Sequence, residues 1–169
     1  MPLRATKSEW NEAEREVLAY GRARGRFMRA QGKLGWLLTG NDNKVGVAGE
    51  FWAKWIFHSR GWSIERVEGT NNPGFDFVAV RSKRVRVSVK VITDESRSGK
   101  QMRLREPWDC VCIVLLSHSL ALRRSGIATR SQFDAARSES SLGSTPRVSR
   151  TWLNPRGWIN RYGETQNWA

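Results

Sequence analysis

Apolar and polar positions alternate along Arg84-Val85-Arg86-Val87-Ser88-Val89-Lys90-Val91-Ile92, the period of two that marks a strand with one buried face. Gly74-Phe75-Asp76-Phe77-Val78-Ala79-Val80 reads as a strand before it, and Arg81-Ser82-Lys83 as the turn between the two. With Val80 facing Arg84, counting outward brings Asp76 opposite Ser88. Facing residues of an antiparallel pair point to one side of the sheet, so Asp76, Ser88 and, two residues on, Lys90 share a polar face. A loop of even length would move Asp76 to the other face.

The pattern elsewhere predicts helices around this hairpin. Thr6-Lys7-Ser8-Glu9 has the spacing of a capping box, and Trp10, Ala13, Val17 and Tyr20 follow at helical intervals, so a helix is expected over 6–31. Gly21 and Gly25 are expected to break or kink it. A second helix is expected from Val45 to Ser59, with Ala48, Phe51, Trp52, Trp55 and Ile56 as its apolar stripe and Gly61 as its stop. Glu50 sits at the edge of that stripe, four residues before Lys54, where an ordinary ion pair would form. Trp62 to Glu68 reads as a first strand. Residues 94–107 read as a polar connection, with a short strand at Gln101–Arg105.

The unbroken apolar run from Cys110 to Leu116 predicts a strand covered on both faces. A short helix is expected from Thr129 to Arg137, capped by Thr129 or Ser131, and a loop from Ser138 to Ser149. In the tail, Asn154-Pro155 is a cap followed by Pro at the first helical position. The chain reads as one domain: a basic helical extension over 1–44, a core over 45–118, and a C-terminal helix with a Trp-rich tail over 119–169.

Charge changes the picture. The 169 residues carry a net charge of +13, spread over all three segments. Such a field favours a polyanion, nucleic acid first and an anionic membrane second. Arg22, Arg24, Arg26, Arg29 and Lys33 form a basic run suited to phosphate contacts, and Arg84 and Arg86 add to it from the hairpin. A solvated face explains the same run without a ligand. The nine tryptophans are expected mainly as core and interface anchors. Cys110 and Cys112, inside an apolar run, are expected as reduced core residues of a cytoplasmic protein. No run is long enough for a membrane span, and Met1-Pro2-Leu3-Arg4 lacks the apolar segment of a secretory signal.

The order of helix with Glu50, strand, strand with Asp76, strand with Ser88 and Lys90, and apolar strand resembles the PD-(D/E)XK nuclease superfamily. Gly46-Val47-Ala48-Gly49-Glu50, Gly74-Phe75-Asp76, Val87-Ser88-Val89-Lys90 and Trp108-Asp109 carry the resemblance, over roughly 45–116. It implies an α/β (α+β), restriction-endonuclease-like mixed sheet of four to five strands flanked by helices. It also implies a Mg²⁺- or Mn²⁺-dependent endonuclease acting on DNA, and a homodimer. Asp76, the Val89 carbonyl and Glu50 would be metal ligands, and Lys90 would polarise the attacking water. A bound metal would lower the pKa of its water and clamp the phosphate.

The chain departs from the pattern at Ser88, where the family has its second acidic residue. Either Glu50 stands in for it, or Glu68, Asp94 or Glu95 takes its place. Otherwise the site is weakened or dead and leaves a DNA-binding module. The remaining alternative is a basic structural or partner-binding protein.

Overall fold

The computed structural model describes residues 5–33, 44–65, 74–94, 104, 106–139 and 150–168. In chain order these form α1 (Lys7–Lys33), α2 (Lys44–Ser59), β1 (Ser63–Glu65), β2 (Phe77–Val80), β3 (Arg84–Thr93), β4 (Cys110–Leu116), β5 (Leu122–Thr129), α3 (Arg130–Ser138), α4 (Trp158–Tyr162) and β6 (Glu164–Asn167). A 3₁₀ turn at Arg150–Leu153 precedes α4.

The helix ends follow local chemistry. Glu9 Oε2 accepts the Thr6 N–H at 2.6 Å, and Thr6 Oγ1 accepts the Glu9 N–H at 3.3 Å, closing the expected capping box. α2 ends in a Schellman turn. The N–H of Gly61 donates to the His58 carbonyl and that of Trp62 to the Phe57 carbonyl, with Gly61 at φ +80°. Thr129 caps α3 in a reciprocal box with Gln132.

The six strands lie side by side in chain order. β3 and β4 are parallel; every other neighbouring pair is antiparallel. The hairpin register is the expected one, with Val80 facing Arg84 and Phe77 facing Val87. Alternation sends Val87 and Val89 to one face, where they pack with Ala48, Trp52, Ala53 and Ile56 of α2. Ile92, Val111 and Ile113 face the other side and pack with Phe133, Leu153, Trp158 and Ile159. The result is a mixed α/β fold: a six-stranded mixed sheet with helices on both faces.

Three local expectations are corrected. The tail supplies a sixth strand, so the sheet exceeds the four or five strands expected. α1 runs unbroken through Gly21 and Gly25. A Cβ on Gly21 would lie 1.9 Å from the Ser119 carbonyl oxygen, so this glycine serves a close approach and not a kink. Asn154-Pro155 does not open a helix: Gly157 N–H bonds back to the Asn154 carbonyl at 2.7 Å, and α4 begins at Trp158. The strand expected at Gln101–Arg105 lies outside the described residues, as do 66–68 of the expected first strand and most of the 138–149 loop. Among the described residues no helix is long and apolar enough to cross a membrane.

Candidate functional site

The hairpin positions the residues singled out in the sequence. β2 pairs with β3 only as far as Phe77 and Val87. Past that point β3 continues to Thr93, hydrogen-bonded to β4 on its other edge. The N–H of Asp109 donates to the Arg86 carbonyl, so even-numbered residues of β3 turn their main-chain groups toward β4. Odd-numbered residues therefore turn theirs toward β2. The N–H and carbonyl of Val89 project on the side where β2 has ended.

Asp76 stands at that place. Its N–H donates to the Val87 carbonyl at 2.8 Å, and its Oδ2 accepts the Val89 N–H at 2.6 Å. The carboxylate thus takes over the ladder bond that a further residue of β2 would have made. Ser88 and Lys90 alternate with Val87 and Val89, and so lie on the face away from α2. Ser88 is only 2% exposed, and Lys90 is half-buried.

Glu50 rides on α2, over the opposite face. A Cβ on neighbouring Gly49 would lie 2.0 Å from Val91 Cγ2, which shows how closely α2 sits on β3. Glu50 makes the expected helical ion pair with Lys54, at 3.4 Å, and Lys54 Nζ lies 5.9 Å from the centre of the Phe77 ring. Of the substitute carboxylates, Asp94 pairs with Arg150 at 3.4 Å, while Glu68 and Glu95 lie outside the described residues.

A Mg²⁺ site of the implied kind needs several hard oxygen donors around one point. The described residues do not fit one. One oxygen of Asp76 is committed to the Val89 N–H, the carboxylate of Glu50 is on Lys54, and Ser88 is a buried neutral hydroxyl. Among the described residues no three of His, Cys, Asp and Glu are grouped closely enough to hold a metal ion.

The basic candidates divide into bound and exposed. Arg86 forks onto Asp109, Nε to Oδ2 at 2.9 Å and Nη2 to Oδ1 at 2.7 Å. Asp109 Oδ2 also accepts the Arg86 main-chain N–H. These bonds hold the Asp109 carboxyl below its ordinary pKa and raise that of Arg86. Sequence reading saw Asp109 only as part of a motif. Its position just before β4 makes it a clamp on the β3–β4 register. Arg84 pairs with Glu65 at 2.6 Å.

On α1, Arg24 is corrected: it is only 8% exposed, on the helix side of Gly21 and Gly25 that meets the turn after β4. Arg22, Arg26 and Arg29 are exposed. The Lys33 side chain lies outside the described residues.

That turn was not foreseen as a feature. Leu120 has φ +58° with its side chain fully buried, and Trp52 Nε1 donates to its carbonyl at 2.8 Å. The turn is held by α1 through Gly21 and by α2 through Trp52. It also rims a cavity of about 650 Å³ lined by Ser117, Ser119, Arg123 and Trp168 among others. No protein-family model matches the chain, and no curated protein matches it.

Proposed function

We propose that this protein is a nucleic-acid-binding module on a nuclease-like hairpin frame, with the C-terminal half of α1 as its polyanion-facing surface. One observation carries the reading: the sorting of charge along α1. Before Gly21 the helix has Glu9, Glu12, Glu14 and Glu16 against Lys7 and Arg15; after it come Arg22, Arg24, Arg26, Arg29 and Lys33 with no acid. Arg22, Arg26 and Arg29 recur at i, i+4 and i+7 and are exposed, the arrangement that lets several cations meet one phosphate chain. The net charge of +13 adds a long-range field of the same sign.

The metal-dependent nuclease is the competing reading, and the chemistry of Asp76, Ser88 and Glu50 weighs against it for the reasons given above. A salt titration of binding to labelled DNA tests the proposal. Replacing Arg22, Arg26 and Arg29 together by Gln should weaken binding and flatten the log–log salt slope by up to about 0.9 per lost contact on duplex. An unchanged slope would return these arginines to the role of a solvated face. Incubating supercoiled plasmid with Mg²⁺, Mn²⁺ or EDTA should leave it uncut in all three. Nicking that needs metal, and that Asp76→Ala abolishes, would establish the nuclease instead.

A further inference from the structure

The irregularity between β4 and β5 brings two arginines to one cavity. Leu116 pairs with Leu122 and Leu115 with Arg124, so Arg123 is an extra residue with no partner in register on β4. Consecutive residues of a regular strand point to opposite faces, and a bulge re-aims the side chain it adds. Arg123 and Arg124 both line the cavity of about 650 Å³ beside the turn after β4, with Ser117, Ser119, Asn167 and Trp168. Among the described residues no acid lines it, and α1 contributes nothing to its wall.

The polar groups of this cavity have donors to spare. Arg123 is exposed, and its guanidinium has no hydrogen bond or ion pair among the described residues. Arg124 is half-buried; its Nε donates to Asn167 Oδ1 at 2.6 Å and its Nη1 to the Leu153 carbonyl at 2.8 Å. Both acceptors are neutral, and three of the five N–H groups of a guanidinium are left over. Ser117 and Ser119 share one hydrogen bond at 3.0 Å, and Ser117 Oγ also accepts the Ala121 N–H. Two hydroxyls joined by one bond leave one proton to donate, whichever of them donates to the other. The apolar part of the wall is fixed in place. Trp168 Nε1 donates to Ser125 Oγ at 2.9 Å, and its ring meets that of Trp55 edge to face.

We propose that this cavity binds a small organic phosphate of about mononucleotide size. Arg123, Arg124 and the spare serine hydroxyl hold the phosphate, and the body of the ligand lies against Trp168 and Leu122. Two guanidinium charges without an acid call for a dianion rich in acceptor oxygens, and arginine matches phosphate geometry. A volume of about 650 Å³ is that of a small-molecule site, well beyond what an inorganic phosphate needs. The inference stands apart from the reading of α1, whose arginines lie elsewhere.

Isothermal titration of the full chain with AMP, adenosine and inorganic phosphate tests it, alongside Arg123→Ala and the Arg22, Arg26 and Arg29 triple variant. AMP should bind the wild type at one site, and inorganic phosphate should compete with it. Adenosine on the wild type, and AMP on Arg123→Ala, should bind about ten- to a hundred-fold more weakly. The melting temperature of Arg123→Ala should be unchanged, because that side chain is exposed and unbonded. The triple variant should bind AMP as the wild type does. Oligothymidine with a 5′-phosphate that binds more tightly than its 5′-hydroxyl form, a gain lost in Arg123→Ala, would make a strand end the source of the phosphate. Equal binding of the two would leave the free nucleotide as the source. No binding of millimolar AMP, or adenosine binding as tightly as AMP, would overturn the proposal. So would a triple variant that loses AMP while Arg123→Ala keeps it, since α1 would then hold the phosphate.

Discussion

Asp76 holds Val89: its Oδ2 accepts the Val89 main-chain N–H at 2.6 Å, just where β2 stops covering the edge of β3. The acid therefore has a structural duty whether or not it has a chemical one. Asp76→Ala should lower stability by about 1–3 kcal/mol, the range for stranding a donor in a largely buried strand, and Asp76→Asn by less because the amide oxygen still accepts. Millimolar Mg²⁺ should leave the melting temperature of the wild type unchanged. A Mg²⁺-dependent rise that Asp76→Ala loses would restore Asp76 as a metal ligand by linkage.

Two glycines one turn apart on α2 should respond in opposite directions. A Cβ at Gly46 meets nothing within 4 Å, whereas one at Gly49 would lie 2.0 Å from Val91 Cγ2. Gly46→Ala should stabilise by up to about 1 kcal/mol through helix propensity alone. Gly49→Ala should destabilise by about 1–3 kcal/mol, because α2 must lift from β3 or Val91 must leave its rotamer. Denaturant midpoints of the two variants check both signs. Equal effects would mean that α2 is not seated on β3 through Gly49.

The two cysteines give a pH signature. Both are free and buried on β4. Burial pushes the Cys110 thiol up to about 12 and raises that of Cys112 as well. An unfolded thiol ionises near 8.5. Folding therefore keeps protons that the unfolded chain releases above that pH, and stability falls as pH rises from about 8.5 toward 12. The loss is about 1.4 kcal/mol per pH unit for each thiol once the unfolded chain is ionised. Comparing urea midpoints at pH 8 and pH 10 for the wild type and for Cys110→Ala/Cys112→Ala isolates the contribution. A thiol reagent should label the native chain only through unfolding; fast stoichiometric labelling would contradict their burial.

What was legible in the sequence was what is local. The alternation of β3 and the three-residue turn sufficed to set the hairpin register, and Thr6 and Glu9 to start α1. β5 was missed because Leu122-Arg123-Arg124-Ser125-Gly126 breaks the period. The register shifts between Leu115 and Leu116, and that irregularity sets Arg123 out of step. Gly126 has no side chain for a tertiary reason: a Cβ there would come within 2.4 Å of Leu153 Cδ2 and 2.9 Å of Ile159 Cγ2. Gly21 was misjudged likewise, since nothing within α1 announces the Ser119 carbonyl lying against it. Arg24 looked like its neighbours in a charge run, and its burial is tertiary, which no local pattern announces. The candidate site followed this division. The strands bring Asp76 onto the main chain of Val87 and Val89, while the helix with Glu50 lies on the sheet face that strand periodicity could not choose.

Ser88 is the position where one substitution separates a binding module from a metal site short of a ligand. It is 2% exposed, on the strand just beyond the reach of β2, and Asp76 bonds to the main chain of both its neighbours, the Val87 carbonyl and the Val89 N–H. In Ser88→Glu the introduced carboxylate enters a site with little water and a second carboxylate nearby. Both effects raise its folded pKa above the unfolded value near 4.3. A raised acid pKa means that the folded state holds a proton the unfolded state gives up. The variant should then lose stability as pH climbs from about 4 through that raised pKa, by about 2–4 kcal/mol at neutral pH. Acid should narrow its gap from the wild type. Mn²⁺ should narrow it too, because a cation between two carboxylates turns repulsion into ligation, worth about 2.7 kcal/mol at a hundred times its dissociation constant. Asp76→Ala/Ser88→Glu should lose the metal response and keep part of the acid response. Thermal melts of the three proteins at pH 4.5 and 7.5, with Mn²⁺ and with EDTA, resolve the cases. A Ser88→Glu protein that folds and ignores Mn²⁺ would mean that the edge beside Val89 cannot be made a metal site by restoring one acid.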